Sequence, residues 1–470
     1  MNPDVVIVGA GPAGMSAALA LQEHGAVVRV VDEQSAPGGQ VYRAVERVSA
    51  NRPDSLPLFG NAYAEGLKLC TRFSQSGINC SYSTSVWDIS GQGESPRIGL
   101  SSTSGAELLN PRHIILATGA MERPTPFPGW TLPGVMSVGA AQTMLKESAL
   151  IPEGKVILAG TGPLLYLYAT QMLAAGVKPY MILDSAAKRV HFNHWLNLLS
   201  ALVADSSALM KGVAWLRQIG RAGIKHHFGL QKISATGNDR VERVSFTSSN
   251  LSSSSEVDVL LAHDGVVPNS HLALAAGCKH VWSEKQCYWA PKLTSGGAST
   301  VAGISIAGDA DAIYGAEGAE LKGRHIGHQV ANQLGLLEEN KLKSLLSNFG
   351  RDQNKITRVR QFIDAHYQPL AWFKTPPDDQ TTVCRCEEVT AGELRKVVAQ
   401  GCMGPNQAKA FTRCGMGPCL GRLCGNTVSQ LMSQQTGRSV SDIGHYNIRP
   451  PVRPLTVGQL VNLEIKETQN

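Results

Sequence analysis

Charge is scarce in this chain. Only 17% of its 470 residues are Asp, Glu, Lys or Arg, against 43% hydrophobic, which is the reverse of the balance that keeps a polypeptide disordered. A globular chain of this length outgrows a single hydrophobic core and is expected to divide into two to four domains. The formal charge of +6 is spread thinly, and no run of Lys and Arg interleaved with aromatics occurs, which argues against nucleic-acid binding. A secretory leader is missing too: Met1-Asn-Pro-Asp runs straight into Val5-Val-Ile-Val, with no room for a charged region, an apolar region and a cleavage site. A cytoplasmic protein is therefore expected, whose cysteines hold a metal rather than form disulfides. The uncharged run from Val156 to Val177 is long enough to span a bilayer. Its Gly160-Thr-Gly162-Pro163 interruption reads instead as strand, turn and buried helix, so no transmembrane segment is expected.

What is present begins with cysteine. Six of the ten cysteines fall between Cys384 and Cys424: Cys384, Cys386, Cys402, Cys414, Cys419 and Cys424. Crowded thiolates are soft ligands for zinc or iron–sulfur clusters. Structural zinc knuckles usually place two to four residues inside each pair, so the single residue between Cys384 and Cys386 favours iron–sulfur. Gly415, Gly417, Gly421 and Gly425 would let backbone N–H groups turn toward anionic sulfur. Four sulfurs suffice for two irons. Spacing alone leaves the second pair open, since Cys414 to Cys419 and Cys419 to Cys424 each enclose four residues.

The N-terminus carries a second motif. The strand expected at Val5 to Val8 runs into Gly9-Ala-Gly11-Pro12-Ala13-Gly14, then a helix, then a strand at Val27 to Val31 ending in Asp32-Glu33. This is the dinucleotide fingerprint in its required context. Gly9 makes the tight turn, Gly11 admits the pyrophosphate, Gly14 permits close helix packing, and the helix N-terminus supplies N–H groups. Asp32 or Glu33 would accept the adenosine ribose, and counting from Gly9 favours Asp32. Three further stretches, Gly38-Gly39-Gln40-Val-Tyr-Arg43, Leu116-Ala-Thr118-Gly119 and Thr300 to Gly308-Asp309, resemble the signature regions of the two-dinucleotide-domain FAD flavoproteins. The resemblance implies that Gly308 and Asp309 close on the flavin's ribityl chain and pyrophosphate.

A second unit opens at Val156 with Gly160-Thr-Gly162-Pro-Leu-Leu165, and resembles the nicotinamide-binding domain of the same family. Leucine stands where its third glycine belongs, so NAD(P)H binding is not expected there. The fold class expected is α/β, with two Rossmann-like domains and a small helical domain. Residues 1–150 and 255–345 would form a discontinuous FAD domain, 151–254 a degenerate NAD(P)-like domain, 346–380 a linker, 381–430 the cluster domain and 431–470 an extended tail. Ser248 to Ser255 reads as a surface hairpin tip. Between Gly39 and Cys384 only Cys70, Cys80, Cys278 and Cys287 occur, none in a C-x2-C or C-x4-C pair, which excludes dithiol chemistry beside a flavin. The pairs His191/His194 and His226/His227 match no metal motif such as H-E-x-x-H, and His113 and His263 read as satisfied core residues. No substrate base can be nominated.

The cysteine segment is similar to the BFD-like [2Fe–2S] domain, with Thr412, Gly415 and Gly417 matching its T-x-x-G-x-G turn. In that domain the second cysteine pair follows the turn, which implies Cys384, Cys386, Cys419 and Cys424 as ligands and leaves Cys402 and Cys414 as free thiols. Residues 4–455, including Pro128 to Gly134 and Thr412 to Cys424, resemble the α subunits of heteromeric amine and opine dehydrogenases. That resemblance implies an FAD/[2Fe–2S] electron-transfer subunit serving a catalytic β flavoprotein that oxidises a C–N bond. In some members it also implies a small third subunit or FMN at the subunit boundary. The acceptor would be a quinone or a redox protein, with loose membrane association through that acceptor. The rival readings are a self-contained NAD(P)H-dependent reductase and a non-enzymatic redox module.

Overall fold

The computed structural model describes residues 3–91, 95–188, 194–249, 251–461 and 463–465. Val5–Val8 is buried on both faces, as a β-branched run must be when it lies inside a parallel sheet. It pairs in parallel with Val28–Val31 on one side and His113–Leu116 on the other. Asn79–Ser81 and Ile304–Ile306 complete a five-stranded sheet in the order 304–306, 113–116, 5–8, 28–31, 79–81. The last of these strands in sequence thus lies on the sheet that the first begins. The helix Pro12–Gln22 starts with proline at its first turn, where the missing N–H costs nothing.

Val156–Thr161 centres a second parallel sheet, ordered 225–228, 181–184, 156–161, 259–264, 135–137. This corrects the expected boundaries in two places. Val259–Asp264, which the sequence reading places in the FAD domain, pairs over six residues with Val156–Thr161, and Val135–Ser137 adds to its far side. Leu260 and Leu261 are wholly buried, as residues of a strand paired on both sides in a covered parallel sheet should be. The chain crosses back through Val266–Pro268, antiparallel to Ala120–Glu122. The serine-rich hairpin is present as Arg243–Ser248 against Leu251–Glu256.

Residues 346–380 are not a bare linker. Phe349–His366 is an 18-residue helix packed against the long helix Trp195–Arg221, and Phe373 is buried against Phe127. Asp205 interrupts Trp195–Arg221, and its carboxylate accepts from Ser207 N at 3.0 Å, recapping the second half. Among the described residues this is the one helix long and apolar enough to cross a membrane by length and composition. The Val156 to Val177 stretch is instead a buried strand followed by the buried helix Pro163–Ala174.

The third unit contains the helices Ala391–Ala399, Pro405–Thr412 and Gly425–Thr436, the first with a complete Thr390/Glu393 capping box. The tail is only partly extended: Ile443, Tyr446, Ile448 and Val452 are buried in this unit's core, because apolar side chains recur along it between the prolines.

Two helices fix the first unit. Ala316–Gln333 lies against Pro12–Gln22 so closely that a Cβ on Gly323 would sit 2.1 Å from the Ala13 carbonyl oxygen. Gly323→Val is expected to destabilise the chain by about 2–3 kcal/mol through overpacking, read as a lowered denaturant midpoint. An unchanged midpoint would mean that the helices are not in backbone contact.

Candidate cofactor sites

At the head of the first sheet Gly9 adopts φ +107°, and a Cβ there would lie 2.3 Å from Ala117 O. Bare backbone continues where Gly11 faces Gly39, whose Cβ would meet the Gly11 Cα at 2.9 Å. Two loops therefore present main chain and no side chains beside the N-terminus of Pro12–Gln22, the geometry that suits a pyrophosphate. Gly308 closes the same corner, since a Cβ there would meet the Ala13 Cβ at 2.5 Å. Asp309 accepts from Tyr314 N at 2.8 Å and Gly315 N at 3.2 Å, and burial raises its pKa. Thr118 donates to Asn269 O at 2.8 Å, and Asn269 N donates to Gly119 O at 2.9 Å. The sequence-predicted residues Gly9, Gly11, Pro12, Ala13, Gly14, Gly39, Gly308 and Asp309 are thus brought to one corner.

The two neighbouring carboxylates differ in their surroundings. Both Asp32 oxygens are engaged by backbone, Oδ2 by Ala10 N at 2.6 Å and Oδ1 by Gln34 N at 2.7 Å. Asp32 therefore braces the glycine turn, while the Glu33 carboxylate is half exposed and meets Arg453. Arg43 is buried and donates to Gln34 and to Glu147, the latter at 3.2 Å. Sequence reasoning missed Lys146, whose ammonium donates to Gln40 O at 3.2 Å and Val41 O at 2.9 Å. Burial, with Arg43 nearby, brings Lys146 down to about 7. An isolated lysine in a helix carries no signal of this in sequence.

In the second unit the residue equivalent to a ribose acceptor, Asp184, is fully buried. It accepts from Ala186 N at 2.8 Å and from the Tyr166 hydroxyl, with His226 Nε2 at 3.5 Å. Tyr367, from the segment expected to be a linker, packs edge-on against Tyr166. Leu165 is wholly buried in the main core. The Tyr166 hydroxyl and the Ala186 N–H thus each engage one oxygen of Asp184.

The cysteine sulfurs fall into a trio and a pair, which divide the four expected ligands between them. The sulfurs of Cys384, Cys414 and Cys424 lie within 4.8 Å of one another, so Cys414, which the family pattern leaves as a free thiol, joins the group. Cys386 and Cys419 meet each other, the Cys419 N–H donating to Cys386. A Cβ on Gly417 would lie 2.3 Å from the Cys386 Cβ, so the turn can close on this pair only as glycine. Hydrogen bonds from Cys414 and Cys424, with the Gly415 and Glu387 N–H groups, bring Cys384 down to about 2 despite burial. The hydrogen bond to Cys384 raises Cys414 to about 12, and Tyr446 Oη lies 3.4 Å from its sulfur. Five neighbouring sulfurs, with backbone N–H groups aimed at Cys384 and Cys386, fit an anionic iron–sulfur cluster. Cys402 lies apart, its thiol donating to Gly404 O at 3.5 Å. His113 and His263 are satisfied by Ser305 and Glu122; His191 lies outside the described residues. Cys70, Cys80, Cys278 and Cys287 form no disulfide.

Residues 3–323 match the pyridine nucleotide-disulphide oxidoreductase family, and residues 382–434 match the BFD-like [2Fe-2S] binding domain. Over 463 residues the chain is 40% identical to an opine oxidase subunit of Rhizobium meliloti strain 1021, covering 98% of each. The chain belongs to this opine oxidase subunit family. Its similarity extends to hydrogen cyanide synthase subunit HcnB of Pseudomonas protegens, 30% identical across 97% of this chain and 96% of that one. L-proline dehydrogenase from P. horikoshii shares the fold, with a TM-score of 0.69 over 98% of this chain and 79% of that one at 21% identity. A pyridine nucleotide-disulphide oxidoreductase unit and a BFD-like unit thus stand on one opine-oxidase-type polypeptide.

Ligand assignment within the cysteine group is tested by single Cys→Ser variants. Cys384→Ser, Cys386→Ser, Cys419→Ser and Cys424→Ser are expected to lose most of the iron. Cys414→Ser is expected to keep it, since Tyr446 already partners that sulfur. Iron loss in Cys414→Ser with retention in Cys424→Ser would reverse the assignment.

Proposed function

We propose that this chain transfers electrons for a partner flavoprotein subunit that oxidises the C–N bond of an opine or amino acid. The observation that carries this reading is the adjacency of the two cofactor sites. Asn269, held by Thr118 and Gly119, lines a cavity of about 60 Å³ together with His271, Trp289, Gly421, Arg422 and Tyr446. The flavin-side loop and the cysteine turn therefore share one wall. The names of the relatives, each a subunit of an opine oxidase or of hydrogen cyanide synthase, support a heteromeric assembly.

In this reading Gly9, Gly11, Pro12, Ala13, Gly14, Gly39, Gln40, Thr118, Gly119, Gly308 and Asp309 hold FAD, with Arg43 bracing the loop. Asp32, at the end of the second strand, accepts the adenosine ribose, since a carboxylate keeps lone pairs beyond the two backbone N–H groups it already serves. Cys384, Cys386, Cys419 and Cys424 hold a [2Fe–2S] cluster. Bound there, the pair supplies conversion between two-electron and one-electron steps. The chain's own task is positional: bare backbone admits the flavin, N–H groups stabilise anionic sulfur, and the wall shared by Asn269 and Arg422 keeps the route short. An FMN at the boundary with the partner, a small third subunit, and a quinone or redox-protein acceptor complete the proposal.

The rival reading, reduction by external NAD(P)H, is disfavoured by Asp184, whose oxygens already serve Tyr166 and Ala186. Anaerobic mixing with NADH or NADPH is expected to leave the flavin absorbance unchanged, and purification from the native source is expected to bring a second flavoprotein chain. Rapid bleaching by either nucleotide, or full substrate turnover by this chain alone, would refute the assignment.

A further inference from the structure

The five neighbouring cysteines are not equally enclosed. Cys384, Cys414 and Cys424 are buried, whereas Cys386 and Cys419 are only half-buried, so the group has an inner and an outer side. Over the outer side runs the turn Gly415-Met416-Gly417, closed by Met416 N donating to Arg413 O at 2.9 Å. Gly417 lies against the Cys386 side chain, while Met416 beside it is 47% exposed. Phe411, in the last turn of the helix Pro405–Thr412, is 62% exposed. Between them in sequence stands Arg413, whose exposed guanidinium meets Glu387 at 2.8 Å.

Although no basic run occurs, charge is uneven between the units. Residues 381–454 carry nine Lys and Arg against four Asp and Glu, and the rest of the chain balances to within one charge. Lys409 is close enough to interact with Cys424, and Arg422 with Cys419 and Cys386. An oxidised cluster on four thiolates brings about two negative charges, so the unit stays positive with its cluster bound.

We propose that Phe411, Arg413 and Met416 form the docking face for an acidic one-electron redox protein. This rests on the reading above, in which electrons leave through the cysteine turn. Phe, Met and Arg are residue types enriched at protein interfaces, and the surrounding positive field steers an acidic partner toward the face and rejects a basic one. A face this small suits a redox encounter, which must part again quickly. Each encounter moves one electron from the reduced cluster to the partner's oxidised centre, with no bond made or broken. Two encounters discharge the electron pair that one C–N oxidation yields.

The test uses the full-length chain with its cluster loaded and two probes of opposite charge, plastocyanin as the acidic one and cytochrome c as the basic one. Affinity for the oxidised chain is read by calorimetry, and electron transfer by rapid mixing with the reduced chain. At about 10 mM salt plastocyanin is expected to bind about tenfold more tightly than cytochrome c. It should lose about tenfold in affinity and rate at about 100 mM, where the screening length has fallen from about 30 Å to about 10 Å. Phe411→Ala and Arg413→Gln are each expected to weaken plastocyanin about three- to tenfold in both readouts, with the paramagnetic signal of the reduced cluster retained. Equal or tighter binding of cytochrome c would overturn the proposal, as would variants that bind plastocyanin as the parent chain does. If either variant no longer brings down a second flavoprotein chain, the face belongs to the catalytic subunit, and the docking proposal falls while the proposed function stands. If the cluster stays oxidised when the flavin is reduced, the electron-exit reading fails and the docking proposal with it.

Discussion

The structure depends on one close contact, that between Pro12–Gln22 and Ala316–Gln333. Gly323 lies where any side chain would strike the Ala13 carbonyl, Gly327 lies over Ala17, and Gly308 lies over the Ala13 methyl. Helices that approach this nearly do so only through small residues, and a single added methyl is felt in so dense a contact. Because the two helices touch, the strand Ile304–Ile306 can pair with His113–Leu116. Gly308 and Asp309 then arrive at the glycine turn that the chain left far upstream, at Gly9 to Gly14. The flavin corner is thus assembled from both ends of a long excursion, and the excursion carries the second unit.

The second unit keeps the nucleotide fold with a different set of residues at its first turn. The parallel sheet and glycine turn persist. Leu165 fills the helix–sheet contact with a side chain, and the next residue, Tyr166, takes the carboxylate at the end of Met181–Asp184. Burial and Asp184 together push the Tyr166 phenol far above its ordinary range, so it remains a donor at any ordinary pH. Tyr367 then lies against it from a helix-rich segment absent from the fingerprint itself. With these groups engaged, the proposed exit for electrons is the cysteine turn.

Local signals are readable in the sequence and long-range allegiances are not. The fingerprint, the Gly308-Asp309 return and the crowded cysteines all stand in sequence as residue types at fixed spacing; the structure brings the first two to one corner and gathers the cysteines as a trio and a pair. The strand Val259–Asp264 belongs to a different sheet from the one expected because an apolar run does not say which parallel neighbour it will have. Phe349–His366 reads as part of a linker because its buried face is thin, only Phe362 being fully enclosed. Counting favours Asp32 over Glu33, while the Ala10 and Gln34 N–H groups that orient the Asp32 carboxylate are a property of the folded turn. Analogy with a spacing pattern leaves Cys414 out, whereas folding places its sulfur beside Cys384 and under Tyr446. The tail's prolines suggest an extended segment, and its interspersed Tyr446, Ile448 and Val452 make part of it a core element.

The central claim is that one chain holds a flavin and an iron–sulfur cluster in electronic contact. It is tested most directly by anaerobic reductive titration of the full-length chain, following flavin absorbance and the paramagnetic signal of the reduced cluster in the same sample. Uptake of about three electron equivalents per chain is predicted, with the flavin bleaching and the cluster signal rising together through shared equilibration. Uptake of about two equivalents with no paramagnetic signal, or a cluster that stays oxidised while the flavin is fully reduced, would contradict it.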